Sequence, residues 1–366
     1  MRSILIALLC GAWLGALALP AEAAHRAASH HKTARAAPAL SPQAIEGAAP
    51  SAKAARGIDP ATVKAEILLD RAGFSPGVID GRGGENFKKA LVAYQAANGL
   101  DPSGRLDQAT WSKLTEGADQ PVLTDYAITA DDLKGPFFPN TPRRLEDKAK
   151  LPRLGYADAR EELAERFHLS EDLLQKLNPS ANLQQEGTSI VVANVAPLAR
   201  RPQQTSGTAA NAKGEGGPRT AARIEVDKGG RAVRVFDRDG GLLAYFPATI
   251  GSTEKPAPSG SFKVTRISYD PTYHYDPKFA FKEVKTQRPF TVKPGPNNPV
   301  GLVWIDLSAP SYGIHGTPNP DAISKTQSHG CVRLTNWDAM KLAGMVRRGT
   351  PVDFVEHTQA ASADPP

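Results

Sequence analysis

The chain has 366 residues, 40% of them apolar, with a formal charge of +6 and a pI near 9.2. Such a length and apolar content support two or three domains, each with its own core. The excess charge suits an anionic surface, but the 44 Lys and Arg are scattered without interleaved aromatics, which argues against a nucleic-acid-binding protein.

The opening "MRSILIALLCGAWLGALALPAEAA" combines one arginine, an apolar run from Ile4 to Leu19 and a small-residue site at Ala21-Glu22-Ala23. That pattern predicts a secretory signal peptide over residues 1–23. The run is shorter than the roughly 18 residues that cross a bilayer, and no Lys or Arg follows it as a stop-transfer flank. No transmembrane span is therefore expected in the mature chain. Ala-Leu-Leu before Cys10 is a poor context for lipid attachment. The chain has two cysteines, and cleavage removes Cys10, so Cys331 stands alone in an oxidising compartment. An intramolecular disulfide is then impossible, and the thiol is either sealed in a core or kept for its chemistry.

Residues 24–56 are mostly Ala, Pro, Ser, His and Lys, too poor in large apolar side chains to fold, and are expected to form a tether. A stretch of the same character, "RRPQQTSGTAANAKGEGGPRT" from Arg200 to Thr220, predicts a linker spanning 197–221.

Between them, residues 57–117 show helical spacing in Val63 with Ile67, in Phe87 with Leu91 and Tyr94, and in Trp111 with Leu114. Glycine-rich turns at 81–84 and 101–104 separate the helices. With Gly73-Phe74, Asp80-Gly81, Leu91-Val92-Ala93-Tyr94-Gln95, Asn98-Gly99-Leu100 and Thr110-Trp111 in that order, the segment resembles the three-helix peptidoglycan-binding domain. It departs at Glu85-Asn86-Phe87, where the family usually opens its central helix with threonine. Spacing alone assigns the aromatics to the core.

A connector over 118–152 leads to residues 153–196. Two short helices are predicted there, at Ala159–Phe167 and, with Ser170 as N-cap, at Ser170–Leu177; a strand follows at Ser189–Ala193. The segment is similar to a lysin motif, a βααβ module, with its first strand sought near Leu154–Tyr156. A module that binds glycan and one that only packs both fit this reading.

From residue 222 to 356 the period changes to alternation. Strands are predicted in "IEVDKGGRAVRVFDRDGGLLAYFPATIG", joined by hairpin turns, and at Ser261–Ile267, Gly301–Leu307 and Val352–Val355. A helix from Asn336 to about Arg347 takes Asn336 as its cap. His274, His315 and His329 are the histidines of this region ahead of the C-terminal tail. A cysteine with an ordinary pKa is only about 3% thiolate at pH 7, so a nucleophilic Cys331 needs a base or a positive neighbour. A histidine can remove the proton and hold the thiolate as an ion pair. Gly316 and Gly330 give the flanking loops freedom to aim amides at an oxyanion. On these residues alone, a buried structural thiol and a nucleophile both remain open, as does a zinc site built from His274, His315, His329 and Cys331.

The string "IHGTPNPDAISKTQSHGCVRL", with "GSTEKPAPSGSFKV" and "GPNNPVG" upstream, resembles the active-site signature of the YkuD-type L,D-transpeptidases. Ala257 replaces a commoner threonine. The resemblance implies a multidomain α+β protein with a mainly β, sandwich-like catalytic domain. It implies Cys331 as nucleophile and His315 as base, with Gly316 orienting the imidazole and Gly330 contributing to the oxyanion hole. Ser328, His329 and Arg333 would contact substrate. Tyr273, His274 and Tyr275 lie in a long connection expected either to cover the cleft or to pack on itself. The implied reaction cross-links peptidoglycan stem peptides without metal or organic cofactor. Water as acceptor would make a carboxypeptidase, and a catalytically silent wall-binding protein is the competing reading. An exported, periplasmic, wall-associated monomer is expected.

Overall fold

The computed structural model describes residues 40–50, 57–199, 220–253, 255–279, 284–328 and 330–356. The predicted signal peptide, most of the tether, the body of the linker, and His329 lie outside the described residues.

Helix α1 (Pro42–Glu46) begins where Ser41 Oγ accepts from the Ala44 amide and Pro42 takes the first helical position. Its Ile45 is completely buried. This corrects the assignment of residues 42–46 to a tether: one isoleucine is enough to dock a short helix once a neighbouring core accepts it. That core belongs to α2 (Pro60–Ala72), α3 (Glu85–Ala97) and α4 (Gln108–Thr115). Asp59 and Asp107 cap α2 and α4, and Gly73 ends α2 at φ 93°, a left-handed C-cap that a side chain would strain. Val63, Ile67, Phe87, Leu91, Tyr94, Trp111 and Leu114 are all buried, as their spacing predicts.

Strand β1 (Leu123–Ala127) pairs antiparallel with β2 (Ser189–Ala193), Asp125 opposite Val191. Between them lie α5 (Ala130–Leu133), α6 (Leu145–Lys148), α7 (Ala159–Arg166) and α8 (Glu171–Leu177). The strand sought near Leu154–Tyr156 therefore lies about thirty residues earlier, inside the expected connector. Its outer face is exposed and weakly alternating, so only pairing with β2 defines it. Residues 128–158 intervene between β1 and α7, and Leu154 is buried against the C-terminal domain instead.

The C-terminal domain contributes β3 (Arg223–Asp227), β4 (Ala232–Phe236), β5 (Leu242–Pro247), β6 (Thr249–Ile250), β7 (Gly260–Tyr269), β8 (Tyr273–Tyr275), β9 (Phe290–Val292), β10 (Val303–Leu307), β11 (Gly313–His315), β12 (Val332–Arg333), α9 (Asn336–Met345) and β13 (Pro351–Val355). Among the described residues, nine strands form one ladder in the order β5-β4-β3-β13-β7-β10-β11-β12-β6, and β8 pairs separately with β9. The long β7 joins two halves: residues 260–263 pair with β13 and 264–269 with β10. Val226, Val233 and Phe246 from one half share a core with Ile305, Ile314 and Val332 from the other, and with Trp337 and Leu342 of α9. The protein is thus α+β, helical first and mainly β afterwards.

The N-terminal modules pack directly on this domain. Residues 73–75 run along the edge strand β5, with Tyr245 donating to Gly73 and Ser75 donating back to Tyr245, so that edge is covered. Helix α9 meets both modules. Ser75 Oγ donates to Asp338 at 2.9 Å, Lys341 reaches the Asp70 carbonyl at 2.9 Å, and the His168 ring stacks on Trp337 at 5.0 Å. Helix α9 also differs from expectation at its start. Thr335, not Asn336, is the cap, its hydroxyl accepting from the Asp338 amide. Asn336 is released for another task.

Candidate active site

Strand pairing assembles the site. Strands β11 and β12 are parallel with His315 opposite Arg333, so the two-residue period places Cys331, two positions before Arg333, on the face that carries His315. Antiparallel pairing of β10 with β11 sets Trp304 opposite His315, and β7 sets Ser268 opposite Trp304. All of these side chains line one cleft of about 1030 Å³. On β10, Val303, Ile305 and Leu307 point into the core while Trp304 and Asp306 turn outward.

His315 is buried, and its Nδ1 lies 2.7 Å from the Gly316 carbonyl oxygen. A carbonyl only accepts, so Nδ1 carries the proton and Nε2 keeps its lone pair. Trp304 stacks on the imidazole at 5.2 Å and 18° and is itself held by an Nε1–H bond to Asp306 of 2.9 Å. Burial, aided by the nearby Arg333 charge, pushes the His315 pKa down to about 3, against the Gly316 hydrogen bond.

Cys331 is half-buried, with Sγ 3.9 Å from the Ser311 carbonyl oxygen. Burial raises its pKa, opposed by an N–H bond from Gly313 and by the Arg333 charge. Arg333 is thus the charge that acts on both groups. Both shifts favour the neutral forms, a thiol and an uncharged imidazole, over a thiolate–imidazolium pair. Charge separation in a site this enclosed is unfavourable until substrate arrives.

Two glycines are constrained here. Gly330 adopts φ +110°, and a β-carbon on it would stand 3.0 Å from the Tyr312 ring. Gly316 abuts Asn336 so closely that a β-carbon would fall 2.3 Å from Asn336 Oδ1. Asn336 is the buried bracket behind the base: its Oδ1 accepts from the Leu302 amide at 3.1 Å, and its Nδ2 donates to Glu165 at 3.0 Å and to the Pro296 carbonyl at 3.3 Å. Desolvation raises the Glu165 pKa to about 8.

The remaining expected residues sort as follows. Arg333 lines the cleft and donates to the Gln327 carbonyl at 3.4 Å. Ser328 is corrected from substrate contact to loop brace, because it is buried and its hydroxyl donates to the Cys331 carbonyl at 2.6 Å. Tyr273 and His274 line the cleft, whereas Tyr275 is buried against Phe290 at 4.8 Å within the β8–β9 hairpin. The His274 nitrogens meet the Thr272 and Thr291 hydroxyls at 3.0 and 2.9 Å. Trp304, Tyr312, Asn336 and the cleft residues Arg143, Arg144 and Leu145 were not anticipated. Only Trp304 carried a local signal, the alternation of "LVWIDL".

Residues 221–354 match the family described as the L,D-transpeptidase catalytic domain, YkuD, and residues 59–114 match the putative peptidoglycan binding domain. The chain is 33% identical over 132 residues to a putative L,D-transpeptidase YkuD of Bacillus licheniformis, covering 36% of this chain and 64% of that protein. It is 34% identical over 126 residues to a probable L,D-transpeptidase YbiS of Escherichia coli K12, covering 34% and 41%. A crystal structure of an Enterococcus faecium L,D-transpeptidase mutant aligns at a TM-score of 0.29 and 23% identity, over 37% of this chain and 50% of that one. The matched stretch thus spans less than two thirds of each relative. The class these matches define is a multidomain arrangement, with similarity to a catalytic domain in the C-terminal part and to a putative peptidoglycan binding domain ahead of it. In particular, residues 221–354 match the YkuD L,D-transpeptidase catalytic domain and lie behind a stretch that matches the putative peptidoglycan binding domain.

Proposed function

We propose that the protein is a peptidoglycan L,D-transpeptidase in which Cys331 is the nucleophile and His315 the general base. The observation that carries this reading is the in-register pairing of β11 with β12, which sets both side chains on one cleft wall with His315 Nε2 available to accept. The Cys331 thiol proton passes to His315 Nε2 as sulfur adds to the carbonyl carbon between the third stem residue and the terminal D-alanine. The oxyanion faces the amides of Gly330 and Cys331. The C–N bond breaks, the imidazolium returns its proton to the departing D-alanine amine, and a thioester remains. A side-chain amine of a second stem then gives His315 a proton and attacks the thioester, breaking the C–S bond and forming a 3,3 cross-link; the thiolate regains the proton. Water in place of the amine yields the carboxypeptidase product from the same intermediate.

Glycan recognition falls to the domain of residues 59–114, and in this reading the β1–β2 module is a lysin motif. The protein is exported and acts against the wall. Incubating the full chain with tetrapeptide muropeptides and reading masses tests the chemistry. Wild type forms an adduct of the stem less D-alanine and then the cross-linked dimer, and Cys331→Ala forms neither. A Cys331→Ala protein that still cross-links would overturn the assignment.

A further inference from the structure

Residues 128–158 cross from the β1–β2 module onto the catalytic domain and are fastened there at several points. Arg153 makes a two-pronged ion pair with Asp270, at 2.8 and 3.0 Å. The buried Leu154 donates its amide to the Pro294 carbonyl at 2.9 Å and accepts from the Asn297 amide at 3.0 Å. Glu146 Oε1 accepts from the Lys285 amide at 2.9 Å, beside the contact of α6 with β9. Immediately ahead of the Glu146 anchor, Arg143, Arg144 and Leu145 form part of the wall of the cleft that holds Cys331.

The charge lining that cleft is one-sided. Arg143, Arg144, Lys255, Arg266 and Arg333 face it, against the single carboxylate of Asp276 among the described lining residues. Arg266 is paired with Asp306 at 3.0 Å, and Arg144 reaches Glu146 only at 3.5 Å. Arg143 is exposed and makes no ion pair or hydrogen bond among the described residues. An arginine fork positioned by its backbone and left without a carboxylate is suited to take one from a ligand. At about 1030 Å³ the cleft is at the upper end of the range for small-molecule sites, which leaves room for a peptide extending away from the sulfur.

We infer that Arg143 and Arg144, carried into the cleft by the segment between β1 and α7, form a subsite for a carboxylate of an acidic peptide substrate, separate from Arg333 on β12. The inference rests on the reading of the site as a stem-peptide transferase. A stem peptide carries carboxylates on its γ-linked glutamate and on its diamino acid as well as at its C-terminus, so it supplies what the subsite takes. The segment between β1 and α7 thereby helps select the donor peptide, while the domain of residues 59–114 holds the polymer.

The test compares full-length wild type with an Arg143→Ala/Arg144→Ala variant on a tetrapeptide stem and on the same stem with its internal carboxylates amidated. The variant is expected to raise KM about tenfold on the acidic stem, with kcat within about twofold. Wild type loses the same factor on the amidated stem, where the variant loses nothing further. Calorimetric titration of the two stems into Cys331→Ala, with and without the arginine changes, is expected to give the same tenfold ratio in Kd without turnover. If wild type turns over the acidic stem and the variant matches it in KM and Kd, the subsite is refuted while the transferase reading stands. If wild type neither binds nor turns over either stem, both are refuted.

Discussion

His315 shows how one side chain's chemistry follows from what surrounds it. A carbonyl at 2.7 Å chooses its tautomer, an indole face fixes its plane, and burial keeps it neutral far below the ordinary range. Because the folded pKa is lowered to about 3, the imidazole is already deprotonated throughout pH 5 to 8. The Cys331 thiol, raised by burial, is protonated over the same interval. Alkylation of Cys331 by iodoacetamide, followed by the mass of its own peptide, is therefore expected to rise smoothly with pH above 8 and to show no inflection near 6.5. A rate plateau between pH 6 and 7 would establish a preformed ion pair instead. Cys331 and His315 could be picked out in the sequence as candidates because each sits in a short contiguous string. The neutral state of the pair was not, since it depends on burial by Trp304 and on a shared charge, Arg333.

At the scale of elements, the exit of β11 and the first turn of α9 act as one unit. Gly316 lies against Asn336 Oδ1, and the same oxygen holds the Leu302 amide at the start of β10. Placing a methyl group on Gly316 must displace either the asparagine or the carbonyl that orients His315. Gly316→Ala is expected to cut kcat for acylation by about 10²-fold or more, the scale of losing a positioned general base. It should cost only about 1–3 kcal/mol of stability, the scale of one disturbed buried hydrogen bond. Paired thermal melts and single-turnover acylation check this; a Gly316→Ala variant of wild-type rate would show that the imidazole is placed by Trp304 alone. Helices α2, α3, α4, α7 and α8 and the long strands were readable from period and turns, whereas α1, α5 and α6 were not, and β2 has the bounds predicted for it. Asn336 was misread as a cap because its partner Glu165 lies 171 residues away.

Across the whole molecule, the modules meet α9 through buried ionisable groups. Asp338 accepts from Ser75 on one oxygen, while its other oxygen is buried with no hydrogen-bond partner among the described residues. Burial, reinforced by the nearby Asp70 carboxylate, raises the Asp338 pKa to about 7. A carboxyl whose folded pKa is raised contributes most below its unfolded pKa, about 3.8, and that contribution is lost as pH climbs towards 7. Asp338→Asn keeps an acceptor for Ser75 and removes the ionisation. The variant is expected to match wild type near pH 4 and to exceed it by a widening margin in melting temperature up to pH 8. A margin that stays constant with pH would mean that Asp338 does not titrate between the folded and unfolded states.

By itself the sequence determined a helical part ahead of a mainly β one, most of the turns that bound the helices, the alternation of the strands and the candidates for the proposed acyl-transfer pair. These are encoded within a few residues of one another, where local sterics and hydrogen bonding decide. Only the tertiary structure decided that the modules share α9, that β1 lies at residue 123 rather than near 154, and that two arginines from the N-terminal half face the cleft of Cys331. Each of those depends on which distant surface a segment covers, and the burial that selects the pairing arises only once both surfaces exist.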